Sequence, residues 1–116
     1  MYLPQPGWSR SWHIDGTGVN GRVQTFNALV GVYLQHVPEE FCGNLVVFPG
    51  SHSLVAQAAS DAHTMDLLRR EGMPALREVV VSKPLQIVAE AGDVIVAHSS
   101  LPHSVAPNCS SSIRCV

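Results

Sequence analysis

Apolar and polar positions alternate in short runs along this chain, and Gly or Pro interrupts nearly every run. Short runs rich in β-branched and aromatic residues, bounded by turn formers, predict strands. Residues 8–14 (WSRSWHI) alternate weakly and predict a first strand, and Gly16, Gly18 and Gly21 then predict a flexible connection. Residues 26–37 (FNALVGVYLQHV) predict a long, largely buried strand that ends at Pro38. Residues 44–48 predict another, closed by Pro49-Gly50, a strong turn signal. Leu54, Ala58, Ala59, Ala62, Met65 and Leu68 approximate a period of 3.6 and predict one helix over 54–71, with Gly72 and Pro74 as its stop. Strands are expected again at 76–82, 85–89 and 93–98, the last two joined by a turn at 90–93. The connections are mostly too short for parallel crossovers, so the expected architecture is an antiparallel sandwich or barrel. The helix is expected to cover the sheet. One domain over residues 1–116 is expected, with no internal boundary.

Composition narrows the function classes. Charged residues make up only 14% of the 116, against about 25% in an ordinary soluble domain. Part of the surface is therefore expected to be covered, by a partner or by further chain. The seven Lys plus Arg show one basic pair, Arg69-Arg70, and no stripe that would follow a phosphate backbone, so no nucleic-acid partner is expected. No apolar run reaches the ~20 residues of a membrane span. The first residues have no signal-peptide pattern, and the last three are not Ser-Lys-Leu. Three cysteines, odd in number and without a C-x-x-C pair, fit an intracellular, reducing setting, with the cytoplasm the expected location.

The chemistry resides in a few positions. His13 and Asp15 are two apart, so on a strand they project to one face and can grip one cation, although a surface pair has the same spacing. His103 stands ninety residues later, and with the first two it completes two His and one carboxylate. Non-haem Fe(II) oxygenases use that set as a facial triad, leaving half the coordination sphere open. A structural zinc site would be closed by four ligands. Arg114 follows His103 by eleven residues, and its planar fork suits a carboxylate. If the chain turns at 108–112 and returns as a strand, Arg114 enters the same barrel. Taken alone, a solvated Arg is the simpler reading. His36, His52, His63 and His98 read as packing or surface residues, and Asp93 as the organiser of its turn.

In order, His13-x-Asp15, then GNLVVFPGSH (43–52), then GDVIVAHSSLPHSVAPN (92–108), then Arg114, the chain resembles the phytanoyl-CoA dioxygenase family over about residues 8–116. That family consists of Fe(II)- and 2-oxoglutarate-dependent oxygenases on a double-stranded β-helix, a jelly-roll or cupin-like fold. The resemblance implies that His13, Asp15 and His103 ligate Fe(II) and that Arg114 holds the distal carboxylate of 2-oxoglutarate. It implies hydroxylation of a small or lipid-like organic substrate by dioxygen, with 2-oxoglutarate decarboxylated to succinate and ascorbate as reductant. It also implies a longer domain, so this chain is expected to be an incomplete β-helix truncated at both ends. Two further readings stand beside it: a non-catalytic binding or regulatory module that keeps the ligands, and a cupin-like metalloprotein that does not use 2-oxoglutarate. Many members have a hydroxyl two residues after the distal His, where this chain has Val105, and an aromatic on the long strand, where it has Gly31-Val32-Tyr33.

Overall fold

The computed structural model describes residues 12–15, 17–19, 22–23, 28–61, 63, 66 and 83–114. Among these it is mainly β, with strands β1 (Thr17–Val19), β2 (Arg22–Val23), β3 (Ala28–Val32), β4 (Leu45–Val47), β5 (Leu85–Gln86), β6 (Val94–His98) and β7 (His103–Val105), and helix α1 (Ser51–Ala59). Every strand pairing is antiparallel, as the short connections predict.

β3 pairs with β6, Ala28 opposite His98 and Val32 opposite Val94. The same register continues past both strands: the Tyr33 N–H donates to the Asp93 carbonyl at 2.9 Å, and Val37 bridges Ala89. The long predicted strand is thus one arm of a ribbon. Side chains alternate along it, so Tyr33 is buried while Val30, Val32, Leu34, Val94 and Val96 are 56–68% exposed. These five make an apolar outer face, in keeping with the low charge content.

The other main sheet has the order β5-β4-β7. Its buried face holds Val46, Gln86 and Ser104 from the three strands. The β4–β7 pairing extends well beyond the two strands. Phe48 N–H reaches the Pro102 carbonyl at one end, and at the other the Ala106 N–H reaches Asn44 and the Cys109 N–H reaches Phe41. β7 was not expected, because Pro102 and Pro107 frame it. Each proline stands where only its carbonyl is used, by Phe48 and by Gly43, so the missing N–H costs nothing. Asn44 is fully buried; its amide donates to the carbonyls of Glu39 and Ile87 and its oxygen accepts from Cys42 N–H.

Three other expectations change. The helix starts at Ser51, because Gly50 at φ 78° turns the chain directly into it and Val55 seals it against the interior. It ends at Ala59, where the Ser60 hydroxyl takes up the Gln57 carbonyl. Helical backbone recurs at His63 and Asp66; the rest of 62–71 lies outside the described residues, as do the predicted strand at 76–82 and residues 8–11 of the first. Within the Gly16–Gly21 connection, expected to be flexible, lies β1, which pairs with β2 just beyond it. No described helix is long and apolar enough to cross a membrane.

Candidate metal centre

Among the described residues, the free edge of β7 is met by His13 of the N-terminal segment. His13 N–H donates to the His103 carbonyl at 3.0 Å, and His103 N–H donates back to the His13 carbonyl at 2.9 Å. Such a reciprocal antiparallel pair sets two side chains on the same face of the sheet. The two imidazoles therefore lie side by side, ring centroids 4.5 Å apart. Ile14 turns to the buried face, and Asp15 returns to the imidazole side. Trp12 packs on Phe48 with ring centroids 4.0 Å apart, which pins this segment to the sheet.

Asp15 meets both rings. Its Oδ1 is 3.5 Å from His13 Nε2 and its Oδ2 is 3.6 Å from His103 Nε2. One donor atom from each of the three residues lies within 4.8 Å of the others. Burial is graded: the His103 side chain is 12% exposed, Asp15 34% and His13 52%, so the cluster has a wall and an open side.

The hydrogen bonding of His103 sets its chemistry. Nδ1 lies 2.9 Å from the Leu101 carbonyl oxygen, which can only accept, so Nδ1 carries a proton. A neutral His103 then presents a lone pair at Nε2 to a carboxylate oxygen. Two electron-rich atoms face each other, and only a proton or a cation between them makes the contact favourable. A backbone carbonyl on the far nitrogen is also the usual orienting partner of a metal-bound imidazole. An ion held at ~2.0–2.2 Å by donors at right angles keeps those donors about 3 Å apart. The two contacts of Asp15, one on each carboxylate oxygen, stand about half an ångström above that value, and the widest separation in the group of three, within 4.8 Å, closes to it with shifts of up to about 1.8 Å. The residues fit a divalent first-row metal with open coordination positions.

Arg114 belongs to a different corner. The chain turns at 108–112, where the Asn108 amide donates to the Ser112 carbonyl at 2.8 Å. It then passes Gln35, whose amide donates to the Ile113 carbonyl at 3.0 Å. Arg114 is not on a strand, contrary to the condition set for it above. Its stem lies across Gly43, at φ 71°, where a Cβ would stand 3.0 Å from Arg114 Cγ. Its guanidinium carbon sits 5.1 Å from the centroid of the Tyr33 ring, within cation–π range. Tyr33 is 5% exposed, and its hydroxyl is buried without a hydrogen-bond partner. Burial pushes the Tyr33 phenol above its ordinary value; Arg114 opposes this and Asp93 adds to it.

Among the described residues the remaining polar candidates are not part of the three-residue donor group. His98 Nδ1 accepts from Ser100 N–H, and the ring lies 5.3 Å from that of His52. His36 pairs with Glu90 in solvent at 3.2 Å, and His63 is exposed. Asp93 accepts from Glu90 N–H within its turn, as expected. Cys42 and Cys109 are free thiols, and Cys115 lies outside the described residues. The unsatisfied Tyr33 hydroxyl had no sequence signal beyond an aromatic on a long strand.

Compared with known proteins, the chain matches the family model described as phytanoyl-CoA dioxygenase over residues 2–116. No curated protein and no solved structure matches it.

Proposed function

We propose, from the premise that this chain belongs to the phytanoyl-CoA dioxygenase family, that it is an Fe(II)- and 2-oxoglutarate-dependent oxygenase acting on a small or lipid-like organic substrate. In this reading His13, Asp15 and His103 hold Fe(II), and Arg114 binds the distal carboxylate of 2-oxoglutarate. Bound iron supplies dioxygen activation: one oxygen atom enters the substrate as a hydroxyl, and the other enters succinate as 2-oxoglutarate loses carbon dioxide. Ascorbate would keep the metal reduced. The two sheets would form part of a double-stranded β-helix within a single domain over 1–116, in an intracellular setting.

The observation that carries the reading is the reciprocal pairing of His13 with His103, which turns two imidazoles onto one carboxylate. The chain's own residues have separate tasks. Leu101 fixes the His103 tautomer, and Asp15 supplies the negative charge that favours a cation over two neutral rings. Arg114 supplies a fixed positive charge. From His103 the chain runs four residues to Pro107, whose carbonyl accepts from Gly43 N–H beneath the Arg114 stem. That is about 13 Å of extended backbone, the scale of a metal, a five-carbon diacid and two side chains in line.

Calorimetric titration of the whole chain tests this. Mn(II) is expected to bind, and 2-oxoglutarate is expected to bind only after it. With Fe(II), ascorbate and dioxygen, succinate should form. Binding and turnover that survive His13→Ala unchanged would refute the assignment. The half-exposed His13 favours a second reading, a binding module that takes metal and cosubstrate without turnover, since productive oxygenase sites exclude water. Cosubstrate binding without succinate would select it.

A further inference from the structure

His13 and Asp15 reach the metal centre on a segment joined to β7, among the described residues, by the one reciprocal pair of backbone hydrogen bonds at His13. So short a ladder is a marginal anchor, and backbone groups alone carry no preference for register. A slip of one residue along β7 would turn His13 and Asp15 to the reverse face of the sheet and bring Trp12 and Ile14 to the metal face. Side chains must make the choice, and the reverse face supplies them. Val47 and His13 both stand opposite His103, so their neighbours Phe48 and Trp12 turn to the reverse face from the two sides of β7. There the two rings meet at 4.0 Å across the short, buried side chains of Pro102 and Ser104, beside buried Ile14 and Val46. The Phe48 backbone is held at both ends. Its N–H donates to the Pro102 carbonyl, and its carbonyl accepts from the buried Ser51 hydroxyl at 2.6 Å. The ring contact thus joins the residues that precede the two imidazole ligands, Trp12 directly and Pro102 through Phe48.

We propose that the contact of Trp12 with Phe48 sets the register of the N-terminal segment on β7 and thereby the metal affinity, which makes Phe48 a positioning residue for His13 and Asp15 from the opposite face of the sheet. The inference rests on the metal-binding reading of the triad and adds a determinant that lies outside the donor set. Only molecules with the segment in register offer all three ligands, so the apparent affinity is the intrinsic one multiplied by that fraction. His103 keeps its place in either case, because β4 holds β7. The two other ligands depend on the aromatic contact. Its parts can be removed in steps: Tyr at position 48 keeps the ring, Leu keeps apolar bulk without the ring, and Ala keeps neither.

The test measures Mn(II) affinity by calorimetry, without 2-oxoglutarate, and the melting temperature of the metal-free protein, on the whole chain. Phe48→Tyr is expected to bind Mn(II) as wild type does. Phe48→Leu should bind it about threefold more weakly, the value of an aromatic pair beyond its buried area, and Phe48→Ala about tenfold or more. Val55→Ala is the control. It opens a cavity at a fully buried position on α1 and should lower the melting temperature at least as much as Phe48→Leu does, while leaving Mn(II) affinity unchanged. That pair of results separates positioning from general loss of stability. If Phe48→Ala does not fold, the Leu and Tyr variants with the control carry the comparison. Wild-type affinity in Phe48→Leu, the same loss of affinity in Val55→Ala, or a Phe48→Tyr variant as weak as Phe48→Leu overturns the role of Phe48 and leaves the metal centre standing. Wild type that fails to bind Mn(II), or binding that survives His13→Ala unchanged, overturns both.

Discussion

Gly43 and Gly50 allow a controlled test of what positions Arg114. Both have positive φ, 71° and 78°, so replacing either by Ala forces an L side chain into the left-handed region. That costs about 1–2 kcal/mol at each site. Any gain from stiffening the unfolded chain is shared and cancels in the comparison. The surroundings differ. A Cβ at Gly50 meets nothing within 4 Å, whereas one at Gly43 falls 3.0 Å from Arg114 Cγ and 3.2 Å from its Cβ. Carbon pairs prefer about 3.5–4.0 Å, so the Arg114 stem must retreat by roughly half an ångström. Overpacking of this kind adds about 1 kcal/mol. At about 2.1 cal/mol/K per residue, 116 residues give an unfolding entropy near 0.24 kcal/mol/K. Gly50→Ala should then lower the melting temperature by about 4–8 °C, and Gly43→Ala by about 4 °C more. The functional difference should be sharper. A displaced guanidinium should weaken 2-oxoglutarate about threefold to tenfold in Gly43→Ala, given that misplacements of 1 Å cost up to a hundredfold, while Gly50→Ala leaves it unchanged. Thermal denaturation and calorimetry on Mn(II)-loaded protein measure both quantities. Matching values for the two variants would show that Gly43 is kept for its backbone angle alone and that the contact with Arg114 has no consequence.

Two other outcomes follow from burial. Asn44→Ala removes three hydrogen bonds at a fully buried position and leaves the carbonyls of Glu39 and Ile87 and the Cys42 N–H to find new partners; a loss of about 3 kcal/mol, or about 12 °C, is expected in a thermal melt, and a loss under a third of that would mean these groups are satisfied elsewhere. Tyr33 ionises above its ordinary value of 10.0 in the folded chain, chiefly through burial, so the folded state holds its proton where the unfolded state has released it. Its contribution to stability is complete below about pH 10 and is lost as pH rises toward the folded value. The melting temperature of wild type should fall more steeply than that of Tyr33→Phe above about pH 10, and parallel curves would contradict it.

The sequence by itself determined residue chemistry and local conformation. Alternation and turn formers located the strands at 28–32, 45–47, 85–86 and 94–98, because each depends on neighbours a few residues away. The His-x-Asp spacing put an imidazole and a carboxylate on one face for the same reason, and the ordered segments 43–52 and 92–108 with Arg114 were enough to name the family that the chain matches. Only the tertiary structure decided the rest. β7 forms between two prolines because β4 presents a matching edge, and His13 faces His103 because the N-terminal segment closes the other side of that strand. Arg114 meets Tyr33 and Gly43 through a turn and a non-local amide contact rather than through a strand of its own. Periodicity carries no information about which distant edges pair, since that choice is set by the combined burial and hydrogen bonding of segments separated by as many as ninety residues.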